Sequence, residues 1–150
     1  MPAVTVRRLL NHEWTYLFAL VQDVQHYPRF VPGCRHVRLL TQKDLTAERT
    51  EIMSRMTVGM LPLQFSYTNR TIADRGTRRI TVDSTDGPLS FLHVLWRFEP
   101  GGERRTQIAF TAGYEFRNPV VARLAAGALE GLFSPIVDAF AHRADALRKD

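Results

Sequence analysis

The first part of the chain predicts a strand followed by two short helices. Residues 4–10, V-T-V-R-R-L-L, have the composition of a first strand. The next segment changes to a helical repeat, in which apolar side chains recur at positions i, i+3, i+4 and i+7: Trp14, Leu17, Phe18 and Val21. Asn11 is placed to cap this short amphipathic helix.

The segment H-Y-P-R-F-V-P-G-C, residues 26–34, combines two prolines with bulky side chains. Pro28 and Pro32 exclude a long continuous helix here, because each lacks a backbone donor and restricts the residue before it. The second helix must therefore be short. The segment is either ordinary core or a rigid wedge beside something that the protein holds.

From residue 35 to residue 116 the apolar positions follow a period of two. Turn signals at Q-K-D, G-M-L-P, A-D-R-G, D-G-P and P-G-G divide this region. They predict strands at residues 35–41, 47–58, 63–73, 78–86, 89–99 and 105–116. Alternate positions share a face of a strand, which makes one face of the sheet strongly apolar: Leu63, Phe65, Tyr67, Ile108, Phe110, Ala112, Tyr114 and Phe116.

One long helix is predicted from Asn118-Pro119 to residue 147. Apolar residues three or four positions apart form a single stripe about seven turns long. Gly127, Gly131 and Pro135 lie along this helix and predict a bend. The stripe consists of Val121, Leu124, Ala128, Leu129, Leu132, Ile136, Phe140 and Leu147.

This order of elements predicts an α+β fold of the helix-grip type. A seven-stranded curved antiparallel sheet would surround the long C-terminal helix, with the two short helices after the first strand. At about 1.5 Å per residue, the helix is long enough to cross the whole concave face. A cavity can form between the helix and the sheet.

The two ends of the sheet differ in composition, because successive turns of a meander alternate between them. One end, the basic end, collects the turns near residue 43, at 74–77 and at 101–104, with Lys43, Arg75, Arg78, Arg104 and Arg105. The other, the mouth end, collects residues 59–62, 86–88 and 117–119 and receives the two-proline segment. An apolar rim is predicted there, and it is either the mouth of a cavity or a plug: Phe30, Val31, Pro32, Met60, Leu61 and Pro88.

Composition narrows the class of protein. The chain has 150 residues, 45% hydrophobic and 23% charged, so we expect one globular domain over residues 1–150. The net charge of +5 favours RNA or an anionic membrane surface as a partner without deciding between them. Cys34 is the only cysteine, which excludes an internal disulfide and predicts a reducing cytoplasm. No run approaches the roughly 18 apolar residues of a spanning helix, so we expect a soluble chain.

The titratable residues form no recognisable catalytic or metal-binding motif. Of the five histidines, only His36 lies close in sequence to the cysteine, Cys34. Alternation would place both on one strand face, but two ligands do not make a metal site. Asp83 and Asp86 lie near a turn, where solvated or capping roles are usual. We therefore expect no catalytic residue, no metal and no enzymatic activity.

Three motifs, in order along nearly the whole chain, resemble the coenzyme Q-binding START-like family of the polyketide cyclase/dehydrase and lipid transport superfamily. They are Q-D-V-Q-H-Y-P-R-F-V-P-G-C, T-D-G-P-L-S-F-L-H-V-L-W-R-F, and Y-E-F-R-N-P before a helix with V-D-A-F-A-H-R-A. This family also includes bacterial ribosome-association toxins. The matching positions are Tyr27, Pro28, Phe30, Pro32, Cys34, Asp86, Gly87, Pro88, Trp96, Tyr114, Phe116, Asn118, Asp138 and Phe140.

The resemblance implies a deep apolar cavity without a built-in catalytic group. A bulky aromatic residue commonly stands where this chain has Gly33, so a less crowded rim is expected. The mouth would be formed by Tyr27, Phe30, Val31, Pro32, Met60, Leu61, Gly87 and Pro88. The lining would be formed by Phe18, Phe65, Tyr67, Trp96, Phe110, Tyr114, Leu129, Phe133 and Phe140, with the tyrosine hydroxyls available to a quinone head group.

The implied function is non-enzymatic binding of a hydrophobic ligand, namely a polyprenyl quinone such as ubiquinone, by a cytoplasmic carrier or chaperone that supports respiration. No required cofactor and no DNA partner are expected. Transient contact with the inner face of the membrane is compatible with this role. The alternative is a toxin that binds the large ribosomal subunit and inhibits translation, with phosphate contacts from Arg75, Arg78, Arg104 and Arg105.

Overall fold

The structure is a computed structural model that describes residues 3–60 and 63–148, except for the side chains of Met60, Leu63, Ala126, Ala128 and Leu129. Seven strands form one antiparallel sheet in the order β1-β7-β6-β5-β4-β3-β2. The strands are β1 (Ala3–Leu10), β2 (Cys34–Asp44), β3 (Arg49–Met60), β4 (Leu63–Asp74), β5 (Arg79–Ser84), β6 (Leu89–Pro100) and β7 (Thr106–Phe116).

The sheet is the predicted meander, closed at one edge by the first strand. Each strand from β2 to β7 pairs with the next, and β1 pairs antiparallel with β7 through Ala3↔Gly113 to Leu10↔Thr106. This register places the ends of β2, β4 and β6 together with the start of β3, β5 and β7. The predicted grouping of the turns at two ends of the sheet is therefore confirmed.

The concave face of the sheet is formed by every second residue of each strand. On β7 these residues are Thr106, Ile108, Phe110, Ala112, Tyr114 and Phe116, all of which are buried. On the neighbouring strand β6, Trp96 pairs with Phe110 and Phe98 pairs with Ile108, and both β6 side chains are buried. The predicted apolar face of the sheet is thus the face that forms the core.

Two short helices follow β1. Helix α1 (Trp14–Gln22) buries Leu17, Phe18 and Val21, and a 3-10 helix follows at Val24–Arg29, with Pro28 inside it. The predicted cap at Asn11 is wrong, because the helix begins only at Trp14 and Glu13 occupies the N-cap position. The Glu13 carboxylate makes no capping bond and instead forms an ion pair with Arg148 at 3.0 Å.

The long helix α2 (Pro119–Leu147) begins with a side-chain cap. Asn118 Oδ1 accepts a hydrogen bond from the backbone N–H of Val120 at 2.7 Å, and Pro119 occupies the first turn, where its missing N–H costs nothing. Pro119–Ala125 and Glu130–Leu147 are related by a bend of 54°. The bend lies in the segment that contains Gly127, which is one of the three residues on which the predicted bend was based.

The second half of α2 packs across the concave face. Its buried side chains are Phe133, Val137, Phe140 and Ala144. Polar contacts hold it to the start of the chain: Arg8 donates to Asp138 at 3.1 Å and to Ser134 at 2.7 Å. The sheet, the helix and their packing confirm the predicted helix-grip fold.

No single helix within residues 3–60 and 63–148 is long and apolar enough to cross a membrane. Pro119–Ala125 and Glu130–Leu147, taken together across their bend, would meet the same criteria of length and composition.

Candidate functional site

A cavity of about 150 Å³ lies between the concave face of the sheet and helix α2. Its walls are mainly apolar, because strands β3 to β7 turn alternate side chains inward and α2 covers them. The two-proline segment also contributes to the lining through Val31, Pro32, Gly33 and Cys34. The cavity therefore extends from the centre of the fold to the mouth end, as the arrangement of the loops predicted.

Aromatic rings form much of the wall. Trp96 packs edge-on against Phe110 at 4.8 Å and against Phe140 at 5.0 Å between ring centroids. Phe133 of α2 lies 5.7 Å from Phe110. Tilted and edge-to-face pairs of this kind are favourable, and they hold the rings in one arrangement. The aromatic wall of the cavity is thus built from rings that pack against one another.

The two-proline segment is tied to both neighbouring elements. Tyr27 and Phe30 pack edge-on against Phe140 of α2, with centroid distances of 5.3 Å and 5.0 Å. The Tyr27 hydroxyl donates to the backbone carbonyl of Val21. The carbonyl of Gly33 accepts a hydrogen bond from the N–H of Gly59 at 2.8 Å, which joins the segment to the end of β3. These contacts make the segment a rigid wedge.

Gly33 has a backbone conformation that side chains rarely adopt. Its φ is +81°, and an added Cβ would lie 3.4 Å from Leu132 Cδ1 of α2. A larger residue with this φ would be strained and would approach the helix at the mouth. Gly33 therefore keeps a narrow gap between the wedge and α2.

Six of the predicted lining residues are in the lining: Phe65, Tyr67, Trp96, Phe110, Phe133 and Phe140. The predictions for Phe18 and Tyr114 differ from the structure. Phe18 is 5.3 Å from Phe98 and 5.7 Å from Trp14, because α1 covers the opposite, basic end of the concave face. Tyr114 is buried between Phe116 and Phe133, and its hydroxyl points to Glu130 Oε1 at 3.5 Å.

At the predicted mouth, Tyr27, Val31 and Pro32 line the cavity. Phe30 does not line the cavity, but it packs against Phe140, which does. Gly87 and Pro88 also lie outside the lining, because their loop folds against β4, where a Cβ on Gly87 would come within 2.5 Å of the Ser66 carbonyl oxygen. The predicted contributions of Met60, Leu61 and Leu129 lie outside the described residues.

The structure adds lining residues that the sequence analysis did not single out. Most are aliphatic and lie at the same inward positions as the aromatic residues, so the period of two could have identified them: Met56, Val58, Val82, Leu92 and Val94. Leu89 also lines the cavity, but a bulge between Leu89 and Phe91 brings it to this face, which alternation does not predict. Leu132 and Ile136 come from the apolar stripe of α2. Ser54, Asn69 and Thr71 are the exceptions, since they are polar residues at inward positions.

The titratable groups of the lining are held neutral. Burial raises the pKa of the Cys34 thiol to about 11, so that the reactive thiolate is scarce near neutral pH. Burial also raises the pKa of the Tyr27 and Tyr67 phenols, and the neighbouring Cys34 adds to both shifts. These groups can pack against a ligand or donate hydrogen bonds to it.

Cys34 and His36 do not share a face, in contrast to the prediction from alternation. A bulge between them shifts the register, so that Cys34 pairs with Val58 while His36 pairs with the next residue, Thr57. Cys34 is consequently buried in the lining, and His36 is exposed. Within residues 3–60 and 63–148, no group of three or more histidine, cysteine or acidic residues is placed to hold a metal ion.

The four arginines predicted to contact anions differ in availability. Arg75 donates to Thr50 Oγ1 at 3.3 Å and to the Ala47 carbonyl at 3.1 Å. The Arg78 guanidinium lies 5.9 Å from the centre of the Trp14 ring. Both are half-buried, whereas Arg104 and Arg105 are exposed in the turn between β6 and β7. The last two are the better placed for contacts with a partner.

Comparison with known proteins gives relatives that cover nearly the full chain. The chain is 28% identical to the ribosome association toxin RatA of Pseudomonas aeruginosa, over 93% of this chain and 92% of the toxin. It is 22% identical to the mitochondrial coenzyme Q-binding protein coq10 of Schizosaccharomyces pombe, over 91% of this chain and 83% of that protein. Both groups named by the sequence resemblance are therefore represented.

The fold is shared with an enzyme structure as well. The crystal structure of the Zhui aromatase/cyclase from Streptomyces sp. R1128 superposes with a TM-score of 0.79 at 16% identity, over 99% of this chain and 96% of that one. Residues 10–141 match the family model for polyketide cyclase/dehydrase and lipid transport proteins. The seven-stranded sheet, the long helix and the cavity between them are thus the fold of a family, and this chain belongs to the polyketide cyclase/dehydrase and lipid transport family.

Proposed function

We propose that the protein binds a polyprenyl quinone of the ubiquinone type in the cavity under α2 and acts as a carrier or chaperone for it. The observation that carries this proposal is the preformed aromatic cavity that extends to the mouth end, with Cys34 and the tyrosines kept neutral by burial. The relation to a coenzyme Q-binding protein over 91% of the chain supports the choice of ligand.

The cavity volume suggests which part of the ligand it holds. An apolar cavity of about 150 Å³ in another protein accommodates a benzene ring. The cavity here has about the same volume and reaches the two-proline segment, so it would hold part of the quinone, and the remainder of the ligand would extend toward the mouth end. Each methylene group of the tail that is removed from water adds about 0.8 kcal/mol to binding.

Filling the cavity would also stabilise the fold. At about 24 cal/mol for each Å³ of void, a cavity of about 150 Å³ corresponds to a cost on the order of 4 kcal/mol when empty. A ligand that restores the missing contacts recovers part of this free energy. Binding therefore accounts for the cavity without any chemical step, although the family also includes cyclases.

The direct test is native mass spectrometry of protein produced in a host that makes ubiquinone, followed by organic extraction and identification of the released molecule. A stoichiometric mass increment that disappears on extraction and matches a ubiquinone supports the proposal. Protein without any bound apolar molecule, which also fails to take up added decylubiquinone, contradicts it.

A second candidate function is ribosome binding, as the similarity to ribosome association toxins suggests. The observation that favours it is the pair of exposed arginines, Arg104 and Arg105, at the basic end. Cosedimentation with isolated large ribosomal subunits tests it, using Arg104→Glu/Arg105→Glu. The matched control is Arg35→Glu/Arg123→Glu, which makes the same charge change on exposed residues at the mouth end.

If the basic end contacts ribosomal RNA, Arg104→Glu/Arg105→Glu no longer cosediments with the subunit, while the control variant still does. The difference in binding between the first variant and the wild type should be larger at low salt. If both variants bind the ribosomal subunit as well as the wild type does, Arg104 and Arg105 do not form the contact with it. Decylubiquinone binding measured on the same proteins separates the two functions, since neither pair of arginines lines the cavity.

A further inference from the structure

Two polar side chains lie next to each other in the apolar wall of the cavity. Ser54 of β3 and Asn69 of β4 are direct cross-strand partners, and both side chains line the cavity. They are 1% and 4% exposed. Among residues 3–60 and 63–148, neither Ser54 Oγ nor Asn69 Oδ1 has a hydrogen-bond partner.

Such atoms are unusual in a folded protein. A buried hydroxyl or amide oxygen without a partner has lost its hydrogen bonds to water and gained none in return. The large majority of buried side-chain polar atoms are paired, so two unpaired atoms side by side require an explanation. An alanine and a leucine would fit this inward-facing pair of positions without that cost, as the aliphatic residues around them show.

Tyr67 is a neighbour of Asn69 on the same strand face, and both line the cavity. The Tyr67 hydroxyl donates to Met56 Sδ at 3.6 Å. The unpartnered atom of Asn69 is the amide oxygen, Oδ1. An amide oxygen accepts hydrogen bonds and does not donate them, so a group that pairs with it must be a donor.

We infer that Ser54 and Asn69 form a polar subsite that binds a hydroxyl group on an aromatic ring in the cavity. One ligand hydroxyl satisfies both atoms, because it donates to Asn69 Oδ1 and accepts from the Ser54 hydroxyl. A ligand carbonyl accepts from Ser54 but leaves Asn69 Oδ1 unpaired. The inference rests on the proposed function and refines it: the subsite selects the reduced hydroquinone over the oxidised quinone.

The subsite is tested with two rings that differ in one hydroxyl, 4-propylphenol and propylbenzene, by isothermal titration calorimetry. Ser54→Ala and Asn69→Leu are compared with the wild type. The matched control is Ser66→Ala, which removes a serine hydroxyl from the convex face, where it is bonded to Thr57 Oγ1 at 2.7 Å. The measured quantity is the ratio of the two dissociation constants in each protein.

We expect Ser54→Ala and Asn69→Leu each to weaken 4-propylphenol about tenfold relative to propylbenzene, since each removes one hydrogen bond. Ser66→Ala should keep the wild-type ratio. Without ligand, Ser54→Ala should melt at the wild-type temperature or above it, because it removes an unpaired buried group. A residue with a merely structural role would lower the melting temperature and leave the ratio unchanged.

The outcomes are distinct. An unchanged ratio in Ser54→Ala overturns the subsite while apolar binding stands, and this variant decides the question alone if Asn69→Leu does not fold. Failure of the wild type to bind either ring overturns the subsite, and the proposed function falls with it only if the wild type also fails to bind decylubiquinone. The preference for the reduced ligand is tested by anaerobic titration. Asn69→Leu should lower the affinity for decylubiquinol about tenfold and change the affinity for decylubiquinone little. Equal losses would overturn the role of Asn69 as acceptor.

Discussion

At the scale of single residues, the wall of the cavity shows how strongly position alters chemistry. Cys34 would be an ordinary nucleophile in water, but its place in the apolar lining keeps the thiol protonated. Gly33 next to it has φ +81°, which no other residue type would adopt at so small a cost. Both residues belong to the same wedge, and each has its role because of the elements that pack around it.

The alkylation rate of Cys34 follows from its pKa. Because burial raises the pKa to about 11, from the ordinary value of 9.0, the thiolate fraction at pH 8 is reduced about a hundredfold. We expect iodoacetamide to label Cys34 at least about tenfold more slowly than a free cysteine, as followed by intact mass. The rate should rise with pH up to about 11, as the thiol deprotonates. Labelling at the rate of free cysteine would contradict the buried placement.

At the scale of elements, helix α2 is well fixed at its N-terminus and in its second half, but it is bent between them. Its N-terminus is well capped by Asn118, and its second half is fixed by Arg8 and by buried apolar contacts. Between them the helix bends by 54° over a segment that contains the exposed Gly127, and the exposed Gly131 follows the bend. The second half covers the cavity, and the first half also packs against the core through Ala125, which is buried.

Gly131→Ala should stabilise α2. Gly131 lies in the helix, has no atom within 4 Å of an added Cβ, and does not have a positive φ. Replacing a helical glycine by alanine therefore adds about 0.8 to 1.0 kcal/mol to the free energy of unfolding, measured by urea denaturation. Gly33→Ala is the contrasting variant, expected to lose about 1 kcal/mol because of its left-handed conformation. A loss in Gly131→Ala would mean that the helix needs flexibility at that point.

At the scale of the whole molecule, the cavity is a property of the fold rather than of any motif. Strands from β3 to β7, the wedge and α2 all contribute to the lining, and no two of these elements would enclose it alone. A ligand in the cavity would therefore stabilise the whole domain, because it would contact several elements that separate on unfolding.

A saturating ligand should raise the melting temperature. At a free concentration of 100 times the dissociation constant, binding adds about 2.7 kcal/mol, which corresponds to roughly 5 to 10 °C for a domain of this size. Decylubiquinone in a calorimetric scan provides the measurement. Val94→Phe, which fills the cavity, should abolish the shift, whereas Leu95→Phe on the opposite face of β6 should retain it. A shift that survives Val94→Phe would place the ligand elsewhere.

The sequence by itself determined the order and type of the elements, because hydrophobic periods of 2 and 3.6 depend only on local geometry. It also determined which end of the sheet is basic, since turns of a meander must alternate. Four aromatic residues of the lining lie at alternate, inward positions on long strands, namely Phe65, Tyr67, Trp96 and Phe110, and Phe140 lies on the predicted apolar stripe of α2.

Only the tertiary structure decided which inward-facing residues enclose space and which fill it. Phe18 and Tyr114 have the same apolar pattern as the lining residues, but neighbouring helices and rings occupy the volume beside them. The bulge that separates Cys34 from His36 depends on pairing with β3, a long-range contact that no local pattern records. The pairing of Ser54 with Asn69 likewise depends on the register of β3 and β4. Cavities are made of such contacts between distant segments, so their shape and polarity emerge only when the chain is folded.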